Sequence, residues 1–152
     1  MPFRRTLSLR NSGAGYKTTF PNFSLYHATK WGIEGFVDTV AQEVAPFNIT
    51  FTLVEPGATK TDFGRSLVSP PITELYDRTP AGDVRRAIAS GAFAISGDAA
   101  KMSDAILRAA EQTPAPRRLA LGSDAYQFMH ADLSRRLADL EAQRDIAFSG
   151  DA

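Results

Sequence analysis

Tyr26 and Lys30 stand four residues apart in the stretch Tyr26-His27-Ala28-Thr29-Lys30. Helical spacing puts both side chains on one face, a turn apart. A phenol with an ordinary pKa near 10 is a poor acid or base at neutral pH. A neighbouring ammonium favours the phenolate and lowers that value. A drop of about three units takes roughly 4 kcal/mol of differential stabilisation. Such a pair suits proton transfer to a carbonyl oxygen or from an alcohol. The same spacing also arises by chance, as a half-exposed helix face with a snorkelling lysine, so the surroundings must decide.

The elements around the pair alternate between helix and strand. Phe23 to Val44 reads as a helix, with Trp31, Ile33, Phe36, Val37, Val40, Ala41 and Val44 at near-helical spacing and expected to face a core. Asn22 or Ser24 is a candidate cap, and Pro46 ends the segment. Asn48 to Val54 reads as a strand with Ile49, Phe51 and Leu53 on one side. Pro56-Gly57 breaks it. The Pro-, Ser-, Thr- and Gly-rich stretch 58–81 reads as an irregular loop with short helical pieces. Phe63, Leu67, Val68, Ile72, Leu75 and Tyr76 are its apolar candidates for lining a pocket. Further helices are expected at 82–88, 99–112 and 125–144, with Asp98 and Ser123 or Asp124 at the starts of the last two. Met102, Ala105, Ile106 and Ala109 form one apolar stripe, and Leu133, Leu137 and Leu140 another. A short strand is expected at Arg118 to Leu121, and Thr6 to Leu9 alternates weakly as a half-buried strand would. Alternating elements of this kind point to an α/β layer architecture.

Two blocks in this order resemble the short-chain dehydrogenase/reductase family. Pro21 to Phe36, with Tyr26, Ala28, Thr29 and Lys30 at its centre, is similar to the family's active-site helix and its Tyr-x-x-x-Lys core. Glu55-Pro56-Gly57-Ala58-Thr59-Lys60-Thr61, after the next strand, resembles the Pro-Gly-x-x-x-Thr turn. The resemblance implies that Tyr26 is the general acid or base and that Lys30 lowers its pKa and holds the nicotinamide ribose. Pro56, Gly57, Thr59 and Thr61 would hold the nicotinamide carboxamide. A serine upstream would donate a hydrogen bond to the substrate oxygen. By the family's spacing that position is Gly13, one residue after Ser12. A small shift of the loop lets Ser12 serve; otherwise the hydroxyl is lost from the site. The implied chemistry is hydride transfer between NAD or NADP and a small carbonyl or alcohol substrate.

The family's opening strand, Gly-rich turn and helix, which cradle the dinucleotide pyrophosphate, have no counterpart in this sequence. Ser12-Gly13-Ala14-Gly15 sits just before the helix and matches the serine loop instead. The expected fold is therefore a partial Rossmann-like, doubly wound parallel sheet. It would comprise the last three strands with flanking helices, without the N-terminal dinucleotide-binding half. Residues 1–152 are expected as a single truncated domain. Its parts are the active-site helix, strand and turn (12–61), a substrate-loop region (62–96), and C-terminal helices with the last strand (97–152). A truncated or frameshifted product, or a mis-called start, would give such a chain. An exposed sheet edge and an uncovered apolar helix face would follow, favouring self-association. The alternative to an oxidoreductase is a non-catalytic fragment or interaction module lacking the cofactor phosphate site. An unrelated binding domain that mimics both motifs is a third reading.

Composition narrows the remaining classes. Hydrophobic residues make up 43% and charged residues 22%, ordinary for a globular protein. The formal net charge of zero gives no bulk attraction to nucleic acid. There is no cysteine, hence no disulfide or thiolate site. His27 and His130 are too far apart to suggest a metal centre. No apolar run is long enough to span a membrane, and a cytoplasmic location is expected. Arg4, Arg5, Arg10 and Lys17 precede the first acidic residue, Glu34. A basic, acid-poor start of this kind can signal organelle import, but with the family match beginning by Ser12 no cleaved leader is expected there.

Overall fold

The computed structural model describes residues 5–10, 19–62, 68 and 71–151. Strand β1 (Arg5–Arg10) precedes helix α1 (Ser24–Val44), a 3-10 turn (Ala45–Phe47) and strand β2 (Ile49–Pro56). Helices α2 (Glu74–Asp77), α3 (Pro80–Ala89) and α4 (Ala99–Glu111) follow, then strand β3 (Arg118–Leu121) and helices α5 (Ser123–Glu141) and α6 (Arg144–Phe148). The described strands form one parallel sheet in the order β1-β2-β3. Leu9 lies opposite Leu53 and Arg10 opposite Val54, while Leu53 pairs with Arg118 and Glu55 with Ala120.

Parallel strands need cover on both faces, and β2 shows it. Thr52, Leu53, Val54 and Glu55 are all buried, without the alternation that a half-exposed strand would give. Leu53 and Glu55 point toward α1, where Glu34 and Val37 are buried too. Val54 and Thr52 point the other way, where α4 packs against β2 and β3 through its buried Met102 and Ala109. Thr52 also donates its hydroxyl to the Pro116 carbonyl at 2.8 Å, tying β2 to the loop before β3. Fully buried Val37, Leu53 and Val54 each contribute roughly 1.5–3 kcal/mol relative to exposure.

Helix α1 departs from its expected facing. Val37 is buried and Trp31, Val40, Ala41 and Val44 are half-buried, as the spacing predicts. Phe36, however, is 65% exposed, Ile33 lies at the margin of exposure, and Leu25 is 83% exposed. The apolar residues form two adjacent stripes, and only one of them meets the sheet. Polar His27 and Glu34 take inward positions instead. The expected caps also differ. Phe23 is the N-cap and no side chain caps the helix, while Asn22 adopts a left-handed conformation (φ 73°) that Asn tolerates. At α4 the expectation holds: the Asp98 carboxylate accepts from the Ala100 and Lys101 amides at 2.9 and 3.2 Å. In 58–81 the short helical pieces are α2 and the start of α3. Val68, Ile72, Leu75 and Tyr76 are exposed rather than gathered around a cavity; Phe63 and Leu67 lie outside the described residues. Leu133, Leu137 and Leu140 are exposed as well.

Candidate active site

The 3-10 turn joins the C-terminal end of α1 to the start of β2, so α1 runs antiparallel to that strand. The first turns of α1, with Tyr26 and Lys30, therefore lie at the carboxyl edge of the sheet. Pro56-Gly57 at the end of β2 and Gly122 to Asp124 after β3 share that edge. In open parallel α/β sheets, ligands bind in the crevice outside the carboxyl ends of the strands.

Tyr26 and Lys30 are both half-buried, and the Lys30 ammonium lies 5.6 Å from the centroid of the Tyr26 ring. The two side chains therefore share one helix face, as their spacing predicts. The cation is close enough to the ring for cation–π attraction. Burial pushes the Tyr26 phenol above its ordinary value of 10.0, opposite to the direction expected from the lysine charge. Taking the phenolate out of water disfavours it. The Thr29 hydroxyl donates to the Tyr26 carbonyl at 2.7 Å, within the helix turn that carries the pair.

An aromatic cluster fixes the start of α1. Tyr26 packs edge-on against Phe23 (6.0 Å) and His27 (5.7 Å). Phe20 meets Phe128 of α5 at 5.7 Å. The Phe20 amide donates to His27 Nε2 at 3.0 Å, closing the incoming loop onto the helix. That bond needs the neutral ring, and burial pushes the His27 pKa below its ordinary value. Spacing did not reveal His27 as a buried loop anchor, because a polar residue beside two aromatics carries no periodic signal.

The Pro56-Gly57 turn is held from two sides. The Gly57 amide donates to the Leu121 carbonyl at 2.7 Å, and the Ala58 amide to Asp124 Oδ2 at 2.7 Å. A Cβ on Gly57 would collide with the Asp124 carboxylate, so glycine is required there by close approach. Asp124 was expected as a cap for α5, but Gly122 is the N-cap and the Asp124 carboxylate serves this turn. The Thr59 hydroxyl bonds the Gly57 carbonyl at 2.9 Å and approaches Met102 Sδ at 3.2 Å. Thr59 and Gly97 form a parallel bridge, and Thr61 is exposed. Ser12 lies outside the described residues. Among the described residues, no group of three or more His, Cys, Asp or Glu is arranged to hold a metal ion. No described helix is long and apolar enough to cross a membrane.

A family model described as short chain dehydrogenase matches residues 11–71, which contain the helix pair and the turn. A solved short-chain dehydrogenase from Streptomyces avermitilis superposes with a TM-score of 0.80 at 31% identity, covering 97% of this chain and 53% of that one. The chain belongs to the short-chain dehydrogenase family. Among curated relatives, this family member is 31% identical to Oxidoreductase BOA17 of Botryotinia fuckeliana over 118 residues. That match covers 77% of the chain and 43% of the relative. It is 30% identical to Oxidoreductase calM of Penicillium decumbens over 134 residues, covering 84% and 44% respectively. The chain thus spans less than half the length of these two relatives.

Proposed function

We propose that this chain carries the proton-transfer and nicotinamide-facing part of an NAD(P)-dependent oxidoreductase acting on a small carbonyl or alcohol substrate. The observation that supports this most is the pairing of Tyr26 and Lys30 on one face of α1, at the sheet edge where the Pro56-Gly57 turn also ends. The residues present fit the nicotinamide end of such a cofactor. Lys30 would hold the ribose, and the Pro56-Gly57 turn would face the nicotinamide carboxamide. When bound, the cofactor supplies or accepts the hydride. Tyr26 donates its proton to the substrate oxygen in the reducing direction and takes it back in the oxidising direction. Lys30 favours the phenolate in that second step, and Ser12 is the candidate donor of a hydrogen bond to the same oxygen, unless the loop before the helix leaves that hydroxyl out of the site. Thr59 keeps the turn in shape through the Gly57 carbonyl, with Thr61 beside it. The working compartment on this reading is the cytoplasm.

One observation favours a second reading, a non-catalytic module. The Ala58 amide, one of the turn's donors, is already taken by Asp124. Turnover separates the two. Oxidation of NADPH or NADH by the purified chain, with a panel of small ketones and aldehydes, should fall about 10²–10⁴-fold in Tyr26→Phe, the usual worth of a positioned acid or base. Turnover equal in Tyr26→Phe and the unmodified chain would exclude Tyr26 as the acid.

A further inference from the structure

Three carboxyl groups converge where α1 meets the sheet. Glu55 on β2 is wholly buried, Glu34 on α1 is 6% exposed, and Asp38 lies one turn further along α1 at the rim. Arg118 of β3 reaches into the group. Its Nη2 donates to Glu34 Oε2 at 3.0 Å and to Asp38 Oδ2 at 2.8 Å. Arg117 adds a bond to Asp38 Oδ1 at 3.0 Å, which leaves Arg118 as the guanidinium shared by the two buried glutamates. The Arg118 Nε atom is 3.9 Å from Glu55 Oε1, too far for a hydrogen bond. Arg10 of β1 stands opposite Val54, next to Glu55 in the register.

As a carboxylate, Glu55 has no hydrogen-bond donor for either oxygen among the described residues. A buried, unpaired charge of that kind is strongly unfavourable. As a neutral acid, Glu55 gains a proton to donate, and Glu34, buried on the facing helix and bound to the same Arg118 guanidinium, is the acceptor at hand. We propose that Glu55 and Glu34 share one proton at neutral pH, held chiefly by Glu55, and that this hydrogen bond clasps the start of the Pro56-Gly57 turn to α1. Glu55 directly precedes the turn, and Glu34 lies one helical turn beyond Lys30. The shared proton thus positions the two halves of the edge relative to one another, and it does so whether or not the chain turns over substrate.

The direction of the Glu55 pKa agrees. It is pushed up to about 8, first by burial, then by the charge of Glu34 and the hydrogen bond to it, with Arg118 opposing. Carbon-13 NMR of the unmodified chain, labelled at the glutamate carboxyl carbons, reads the proton directly. One assigned resonance, that of Glu55, should titrate near 8. Glu34→Gln should move that titration down toward the ordinary glutamate range, an effect that a purely packing role would not produce. Glu55→Gln, whose carboxamide can donate as the acid does, should fold and lack the high step. Completion of every glutamate titration in the ordinary range would overturn the proposal. So would a high step that Glu34→Gln leaves unmoved. Should Glu55→Gln not fold, the assigned titration of the unmodified chain decides alone.

Discussion

The Lys30 ammonium sits 5.6 Å from the centre of the Tyr26 ring, while burial holds the phenol above its ordinary pKa. At neutral pH the chain therefore presents a protonated phenol, the form needed to donate to a carbonyl oxygen. Ultraviolet titration of phenolate should show a component above the ordinary tyrosine range. Tyr26→Phe should remove that component. If the high component persists in Tyr26→Phe, the burial argument for this residue is wrong.

Stability should fall as pH rises from about 4.5 to about 8 through Glu55. In that window the folded protein holds a proton that the unfolded chain has lost, so rising pH favours unfolding. The contribution is fully present below pH 4.5 and is lost as pH passes the folded value near 8. Urea melts at several pH values should show the slope, and Glu55→Gln should flatten it. An equal slope in both chains would argue against a protonated Glu55.

His27 works in the opposite sense. Its folded pKa lies below the ordinary 6.5, so the unfolded chain takes up a proton first as pH falls. The stability from neutral, buried His27 is present above pH 6.5 and is lost as pH drops through the folded value. His27→Ala should cost roughly 2 kcal/mol at pH 7, from the lost Phe20 bond and the cavity left behind. It should also abolish this acid-side slope. Urea melts of His27→Ala that matched the unmodified chain at both pH 7 and pH 5 would contradict the anchor role.

Gly57 and Asp124 should be energetically coupled. Gly57→Ala drives a methyl into the Asp124 carboxylate, whereas Asp124→Ala removes the acceptor for the Ala58 amide at a cost of about 1 kcal/mol. The double substitution should cost less than the two single changes added together, by about 0.5 kcal/mol or more. Strict additivity in chemical denaturation would mean that the turn relaxes away from Asp124.

The backbone of this architecture was largely legible in the sequence. Helix α1, strand β2, helix α4 and strand β3 fall within a few residues of their expected bounds, because Pro46, Asp98 and Gly122 punctuate the chain by local chemistry that needs no tertiary context. Facing was less legible. Ile33 and Phe36 share helical spacing with Val37, yet only Val37 meets the sheet. Hydrophobicity alone does not say which of two adjacent stripes has a partner. Glu34 and Glu55 were invisible as buried groups because their burial depends on Arg118, more than sixty residues along the chain from Glu55. Tyr26 and Lys30 share one helix face as their spacing predicts, whereas burial, which raises the phenol pKa, has no signal in that spacing. Desolvation depends on the aromatic neighbours that pack around the ring, which helical spacing does not report.

The site at the sheet edge is tested most directly by fluorescence titration of NADH and NADPH against the purified chain and its Lys30→Ala variant. Saturable binding of at least one cofactor is expected, weakened about tenfold or more in Lys30→Ala, a loss of roughly 1.4 kcal/mol. A folded chain that binds neither cofactor, or binds one equally well without the Lys30 ammonium, would contradict the assignment of this edge to the nicotinamide.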